Sequence, residues 1–119
     1  MSTDADRLQE LFRALGDATR RTILDLLAQH GPMTVTRLAD HFPHLVRSGI
    51  SKHLMELRRL QLVHDNKRGR ERYYRINAET ISQLLRPWVA KYEKYWDDRL
   101  HNLKQAAEEQ ANTKKEDRP

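Results

Sequence analysis

Arg47-Ser48-Gly49-Ile50-Ser51-Lys52-His53-Leu54-Met55-Glu56-Leu57-Arg58-Arg59-Leu60, with the tip Lys67-Arg68-Gly69-Arg70 that follows it, decides how this chain reads. Ile50, Leu54, Leu57 and Leu60 recur at i, i+4, i+7 and i+10, the spacing of one buried helical face. Ser51, Lys52, Met55, Arg58 and Arg59 then face outward. Residues 62–67 and 70–77 read as two strands, with Gly69 supplying the positive φ that a tight tip requires. Between positions 47 and 75 nine Lys or Arg stand against three acids, a surplus of six, while the whole chain carries +5. The positive charge is therefore focused on one element. A focused patch attracts a phosphate backbone and releases its counterions. A charge run alone reads as solvated surface. Its coincidence with a helix and a glycine-tipped hairpin points to a DNA-reading helix followed by a basic wing.

Working outward, Leu8, Leu11, Phe12 and Leu15 predict a helix over 4–15, stopped by Gly16. Asp17 is a good N-cap for a second helix over 18–29, which Gly31-Pro32 ends. Met33-Thr34-Val35 is β-prone, and Thr34 is placed to cap a third helix over 36–42 that Pro43 stops. The reading helix begins at Arg47 or Ser48, with Ser48 the better cap. Ile81, Leu84 and Leu85 make a short face in a further helix, and Pro87 is simplest as the first-turn residue of a restarted one. Trp88, Val89, Tyr92, Tyr95, Trp96, Leu100 and Leu103 then form a long aromatic stripe. From Ala106 the chain is polar and is expected to fray.

Composition removes several classes of function. The 119 residues suit one small domain whose core a partner copy would help complete. There is no Cys, which excludes disulfides, thiolate metal sites and Cys nucleophiles and fits a cytoplasmic protein. No apolar run approaches the ~20 residues that span a bilayer. The start, Met1-Ser2-Thr3-Asp4, does not read as a signal peptide. Four scattered glycines cannot build a phosphate loop, and no Gly-x-Ser-x-Gly or His-Glu-x-x-His pattern is present, so no enzyme is expected.

With these elements in order, the sequence closely resembles the ArsR-type winged helix-turn-helix repressors. Ala14-Leu15-Gly16-Asp17-Ala18-Thr19-Arg20-Arg21-Thr22-Ile23-Leu24-Asp25-Leu26-Leu27 is similar to that family's opening motif. Ser51-Lys52-His53-Leu54 with Leu57 is similar to its reading-helix signature, and Gly69-Arg70 with Tyr74 to its wing. The family usually has Pro where this chain has Ala18, and Gly where it has Gln61. Gln61 must avoid the left-handed region or bear about 1 kcal/mol. The turn from Pro43 to Ser48 is slightly long for the family.

The expected fold class is mainly α with a small β-hairpin (α+β), a winged helix-turn-helix with a long C-terminal dimerisation helix. Residues 1–110 would form a single domain, with 14–77 the DNA-binding core, 1–15 and 78–110 the dimerisation helices, and 111–119 a polar disordered tail. The expected function is that of a homodimeric repressor on a roughly palindromic operator of double-stranded DNA. Arg47, Ser48, Gly49, Ser51, Lys52, Arg58, Lys67, Arg68 and Arg70 are the expected DNA contacts. His53 belongs with them, with a structural hydrogen bond as an equal reading. Tyr74 shares a strand face with Ile76 and reads as core. Leu8, Leu11, Phe12, Trp88, Tyr92, Tyr95, Trp96, Leu100 and Leu103 are the expected dimer interface, although the aromatics also leave room for an unidentified small-molecule inducer.

Two alternatives stay open at this point. One is a winged-helix protein-interaction module with only non-specific DNA affinity. The other is a metal-responsive repressor, since metal sensing is well known in the family. The residues argue for no metal and no cofactor. The third helix lacks the thiolate pair, and the C-terminal helix offers only Asp97, Asp98 and His101. His41 and His44 straddle Pro43, which spoils a helical pair.

Overall fold

A computed structural model describes residues 3–116 of the chain. In order it forms α1 (Asp4–Leu15), α2 (Ala18–His30), β1 (Met33–Thr34), α3 (Val35–Ala39), α4 (Arg47–Arg59), β2 (Val63–Arg68), β3 (Glu71–Ile76) and α5 (Ala78–Glu116). The mainly helical class with its hairpin is as expected. The sheet gains a third strand, because β1 pairs antiparallel with β3 to give the order β1-β3-β2. The chain divides into two compact units, residues 1–85 and 86–119. The division therefore falls inside α5, and its first turns belong with the winged unit rather than with a separate helix starting at position 78.

Short polar side chains set the helix starts. Thr3 and Asp6 form a reciprocal capping box on α1. Asp17 Oδ1 accepts the Arg20 amide of α2 at 3.0 Å. That backbone N–H is the main reason the Asp17 carboxyl titrates below its ordinary value. Thr34 Oγ1 accepts the Arg37 amide at 3.2 Å, so the residue that ends β1 also caps α3. α3 is shorter than expected. It ends at Ala39, and His41 and Phe42 donate to carbonyls three residues back as the last turn tightens. At α4 the sequence reading is corrected: the N-cap is Val46, with no side-chain cap bond, and Ser48 lies inside the first turn with its side chain exposed.

The core of the first unit draws on every helix packed around the hairpin. Ile23, Leu38, Ile50, Leu54, Leu57 and Leu62 are wholly buried, and Leu11, Leu27 and Val63 nearly so. Tyr74, Ile76, Ile81 and Leu85 pack against them, so Tyr74 is a core residue as its strand face predicted. Leu11 was expected at a dimer interface. It is only 1% exposed within its own unit, which leaves it nothing to offer a second chain.

The end of α4 fixes where the hairpin leaves. The Gln61 amide donates to Arg58 O at 2.9 Å and the Leu62 amide to Leu57 O at 2.9 Å. This is the Schellman pattern, with buried Leu57 and Leu62 at its two apolar positions. It requires a left-handed residue at position 61, and Gln61 adopts φ 63°. Among the described residues it is the only non-glycine with positive φ. Asn77 holds the strained link in place: its Nδ2 donates to Gln61 O at 2.8 Å, and its Oδ1 accepts the Thr80 amide to cap α5.

In the second unit α5 continues as one helix through Pro87 to Glu116. Pro87 therefore sits inside the helix instead of opening a new one, and the Gln83 carbonyl loses its usual donor. Residues 111–116, expected to be an irregular tail, are helical; residues 117–119 lie outside the described residues.

Gln61→Gly is expected to stabilise the winged unit by about 0.5–1 kcal/mol, because glycine adopts this φ without a Cβ clash. The exposed bond from Arg7 to Gln61 Oε1, long at 3.3 Å, is a small loss against that gain. A lowered urea midpoint in the variant would show that position 61 is not strained.

Candidate nucleic-acid interface

Burial of Ile50, Leu54 and Leu57 turns the opposite face of α4 to solvent. Ser48, Lys52, Met55 and Arg59 follow at i, i+4, i+7 and i+11 and make the outward stripe, with Ser51 on its flank. Ser48 and Lys52 are exposed, while Ser51 and Gly49 are half-buried. A Cβ added at Gly49 would reach only Val46 Cγ2, at 4.0 Å, so the first turn is open.

His53 faces elsewhere. Its Nδ1 accepts from Arg20 Nε of α2 at 3.3 Å, which places its proton on Nε2. The structural reading of His53 is therefore the one realised. Arg20 comes from the opening motif and His53 from the reading-helix motif, so two distant stretches of sequence meet in one bond that locks α4 to α2.

The hairpin sorts the cations. β2 and β3 pair from Val63↔Ile76 to Arg68↔Glu71, leaving Gly69-Arg70 as a two-residue loop. Gly69 has φ 62° and Arg70 does not share the positive sign, the pattern of a type II′ turn. Asp65 lies on the inner face of the hairpin with its side chain only 6% exposed. Its Oδ1 is 2.9 Å from Arg58 Nε on α4, and its Oδ2 accepts from Arg72 on β3. Arg58, expected to face DNA, is thus committed to an internal clamp. Arg59 is held likewise by Glu56 at 2.7 Å and approaches Glu10 of α1 at 3.8 Å. The Glu56 carboxyl is lowered mainly by its hydrogen bond to Arg59.

The remaining cations keep their charge for a partner. Among the described residues Arg47, Lys52, Lys67, Arg68, Arg70 and Arg75 make no ion pair, and all six are exposed. The surplus of six positive charges between positions 47 and 75 is carried by these six side chains. Arg68 lies over the Tyr73 ring at 5.6 Å, and the Tyr73 hydroxyl donates to Glu71 Oε2 at 3.0 Å, which stiffens the wing. Arg75, on β3, joins the set because the folded hairpin leaves it exposed and unpaired.

Three apolar side chains share this surface. Leu45 is 41% exposed, Val46 71% and Met55 68%. The sequence reading set Met55 outward but gave none of them a role. An apolar residue at an outward helical position is the signal that could have flagged it.

An open cavity of about 370 Å³ lies on the same unit, lined by His30, Pro32, Met33, Arg37, Asp40 and His41. The His30 and His41 rings stack at 5.8 Å. Among the described residues no three His, Asp or Glu side chains gather as a metal site. No helix there is long and apolar enough to cross a membrane.

A three-helix core that presents one polar helix face, followed by a basic two-residue-tipped hairpin, defines a winged helix-turn-helix protein. Residues 17–65 match the family model for bacterial regulatory proteins of the arsR family. The chain is 32% identical over 93 residues to the transcriptional repressor SdpR of Bacillus subtilis, an alignment covering 78% of this chain and all of that protein. Its fold matches an ArsR-like transcriptional regulator from a Rhodococcus species with TM-score 0.65 and 35% identity, covering 85% of this chain and 92% of that one. It also matches the homodimeric winged helix-turn-helix DNA-binding domain of a Mycobacterium bovis protein, with TM-score 0.60 and 28% identity, over 77% and 83% of the two chains. The protein belongs to the ArsR family of bacterial transcriptional regulators, and it is not an enzyme.

Asp65→Asn is expected to lower stability by about 1–2 kcal/mol, since it breaks charged hydrogen bonds whose arginine partners stay half-solvated. It should also weaken DNA binding, although it removes a negative charge beside the wing, because the hairpin is no longer held against α4. Electrostatics alone predicts the reverse, so tighter binding by the folded variant would refute the clamp.

Proposed function

We propose that this chain is a sequence-specific, homodimeric repressor acting on double-stranded DNA in the cytoplasm. The observation that carries the proposal is the joining of one outward polar helix face, Ser48, Ser51 and Lys52, to six exposed cations without ion-pair partners. Each subunit sets the start of α4 into a major groove, where Ser and Lys read base edges. Arg47, Lys67, Arg68 and Arg70 grip the adjoining phosphates and fix the register. Wing cations supply affinity and α4 supplies specificity.

Two copies are required. Trp88, Tyr92, Tyr95, Trp96, Leu100 and Leu103 are between 37% and 66% exposed in the single chain. Large aromatics each cover about 150–250 Å², so together they exceed the apolar patch that soluble monomers tolerate. A two-fold copy packed on α5 removes them from water, with Leu8 and Phe12 of α1 contributing. The homodimeric state of the similar Mycobacterium bovis domain supports a two-copy assembly. Two-fold symmetry then asks for a roughly palindromic operator.

The division of labour is tested by substitution on selected and random duplexes. Arg70→Ala should weaken binding to both equally and reduce the salt slope by about one for each subunit, about two for the dimer. Ser51→Ala combined with Lys52→Ala should mainly remove the preference for the selected site. An altered preference from Arg70→Ala would reverse the assignment.

Trp96→Asp with Leu100→Asp should give monomers by sedimentation and lose most operator affinity while the winged unit remains folded. A wild-type protein that sediments as a monomer at micromolar concentration would exclude the dimer.

A further inference from the structure

We infer that α4 reads thymine, and that Val46 and Met55 are the residues that do so by packing on its 5-methyl group. The inference rests on the proposed docking of α4 in a major groove. It adds a class of target, an operator with thymines at defined positions, and two residues not previously given a role.

The starting observation is where exposed apolar surface occurs in the winged unit. Among the described residues up to 85, the large hydrophobics left exposed are Leu45, Val46 and Met55 alone. Single exposed apolar residues are ordinary on protein surfaces and normally scatter. These do not scatter. Leu45 and Val46 lie at the entry to α4, and Met55 lies on its outward stripe with Ser48 and Lys52. Leu45 precedes the N-cap, where an apolar residue staples the helix entry, so its exposure has a local explanation. Val46 and Met55 have none: they are the two most exposed, at 71% and 68%.

Their surroundings choose between a protein partner and DNA. A protein partner would need a continuous apolar patch. Here Arg47, Ser48, Ser51 and Lys52 stand between and beside the two side chains, and no acid lies among them. The surface is basic, with methyl-sized apolar spots set among hydrogen-bonding groups. Thymine presents the complement in the major groove, an O4 acceptor beside a C5-methyl group. Met55 is one turn beyond Ser51 and Lys52, at i+4 and i+3, so a donor and an apolar contact reach one groove edge together. Val46 crowns the first turn, and its Cγ2 lies 4.0 Å from where a Gly49 Cβ would stand. Small residues there leave the valine methyls proud of the helix end. Nine residues separate the two by about 13 Å along the axis and about half a turn around it, so Met55 projects from the outward stripe and Val46 from the entry end of the helix, and they address different base pairs.

The experiment uses the full chain and the duplex recovered by selection from random DNA. Each thymine of that duplex is replaced in turn by deoxyuridine, which deletes the methyl group and keeps every hydrogen bond. Replacement at a contacted position should weaken binding about four-fold, the free energy of one buried methylene at 1.4 kcal/mol per tenfold. Symmetric replacement in both half-sites should multiply the effect. Val46→Ala with Met55→Ala should bind thymine and uracil duplexes equally, with an unchanged salt slope and an unchanged melting temperature, since both side chains are exposed. Equal affinity of the wild type for the two duplexes would overturn the inference while leaving the regulator reading intact. Failure to select any duplex over random DNA would instead sink the regulator reading, and this inference with it.

Discussion

The burial of one face of α4 is the constraint on which everything else depends. Ile50, Leu54 and Leu57 have no exposed surface. Each such side chain contributes about 1.5–3 kcal/mol on leaving water. Rotating the helix would give up that contribution and push Lys52 or Arg59 into the core, where an unpaired charge is far more costly. The helix is thus locked about its own axis. Its outward stripe, Ser48, Lys52, Met55 and Arg59, is a consequence of that lock.

Three polar ties extend the lock to the neighbouring elements. Arg20 and His53 join α2 to α4; Asp65 joins α4 to both strands of the hairpin; Asn77 joins the left-handed link after α4 to the start of α5. The same ties sort the charge. Arginines that meet an acid on a packed element become part of the frame. Those at the helix start and the wing tip meet no acid and keep their field. A phosphate backbone is therefore offered a smaller set of cations than the sequence contains, but one held in fixed positions on a rigid frame, which lowers the entropy lost on binding.

The second unit shows the opposite balance. From Pro87 onward α5 carries its aromatic side chains with much of their surface exposed, and the ring pairs within the helix, such as Trp88 with Tyr92 at 4.9 Å, cover only part of it. A helix in this condition is incomplete by itself. The winged unit has a finished core and an unsatisfied charge; the second unit has unsatisfied apolar surface. One calls for a polyanion and the other for an apolar partner.

The amino-acid sequence by itself determined the elements and their inner faces. The i, i+4, i+7 spacing of Ile50, Leu54 and Leu57, the caps at Asp17 and Thr34, and Gly69 at the hairpin tip are local signals, and each acts within a few residues. The three family motifs were likewise legible as strings. Local signals failed where a remote group decided. Ser48 looked like a cap, but the chain enters α4 two residues earlier through Val46. Gln61 could avoid or accept the left-handed region, and the Asn77 amide sixteen residues away lets it accept. Leu11 was read as part of a dimer interface, and packing within the winged unit put it in the core. Pro87 could start a helix, yet the helix runs through it. Arg58 and Arg70 are the same residue type in one basic run. Only the fold brings Asp65 against the first and leaves the second at a solvated tip, because pairing of charges depends on distance in space, which sequence spacing does not encode across a turn.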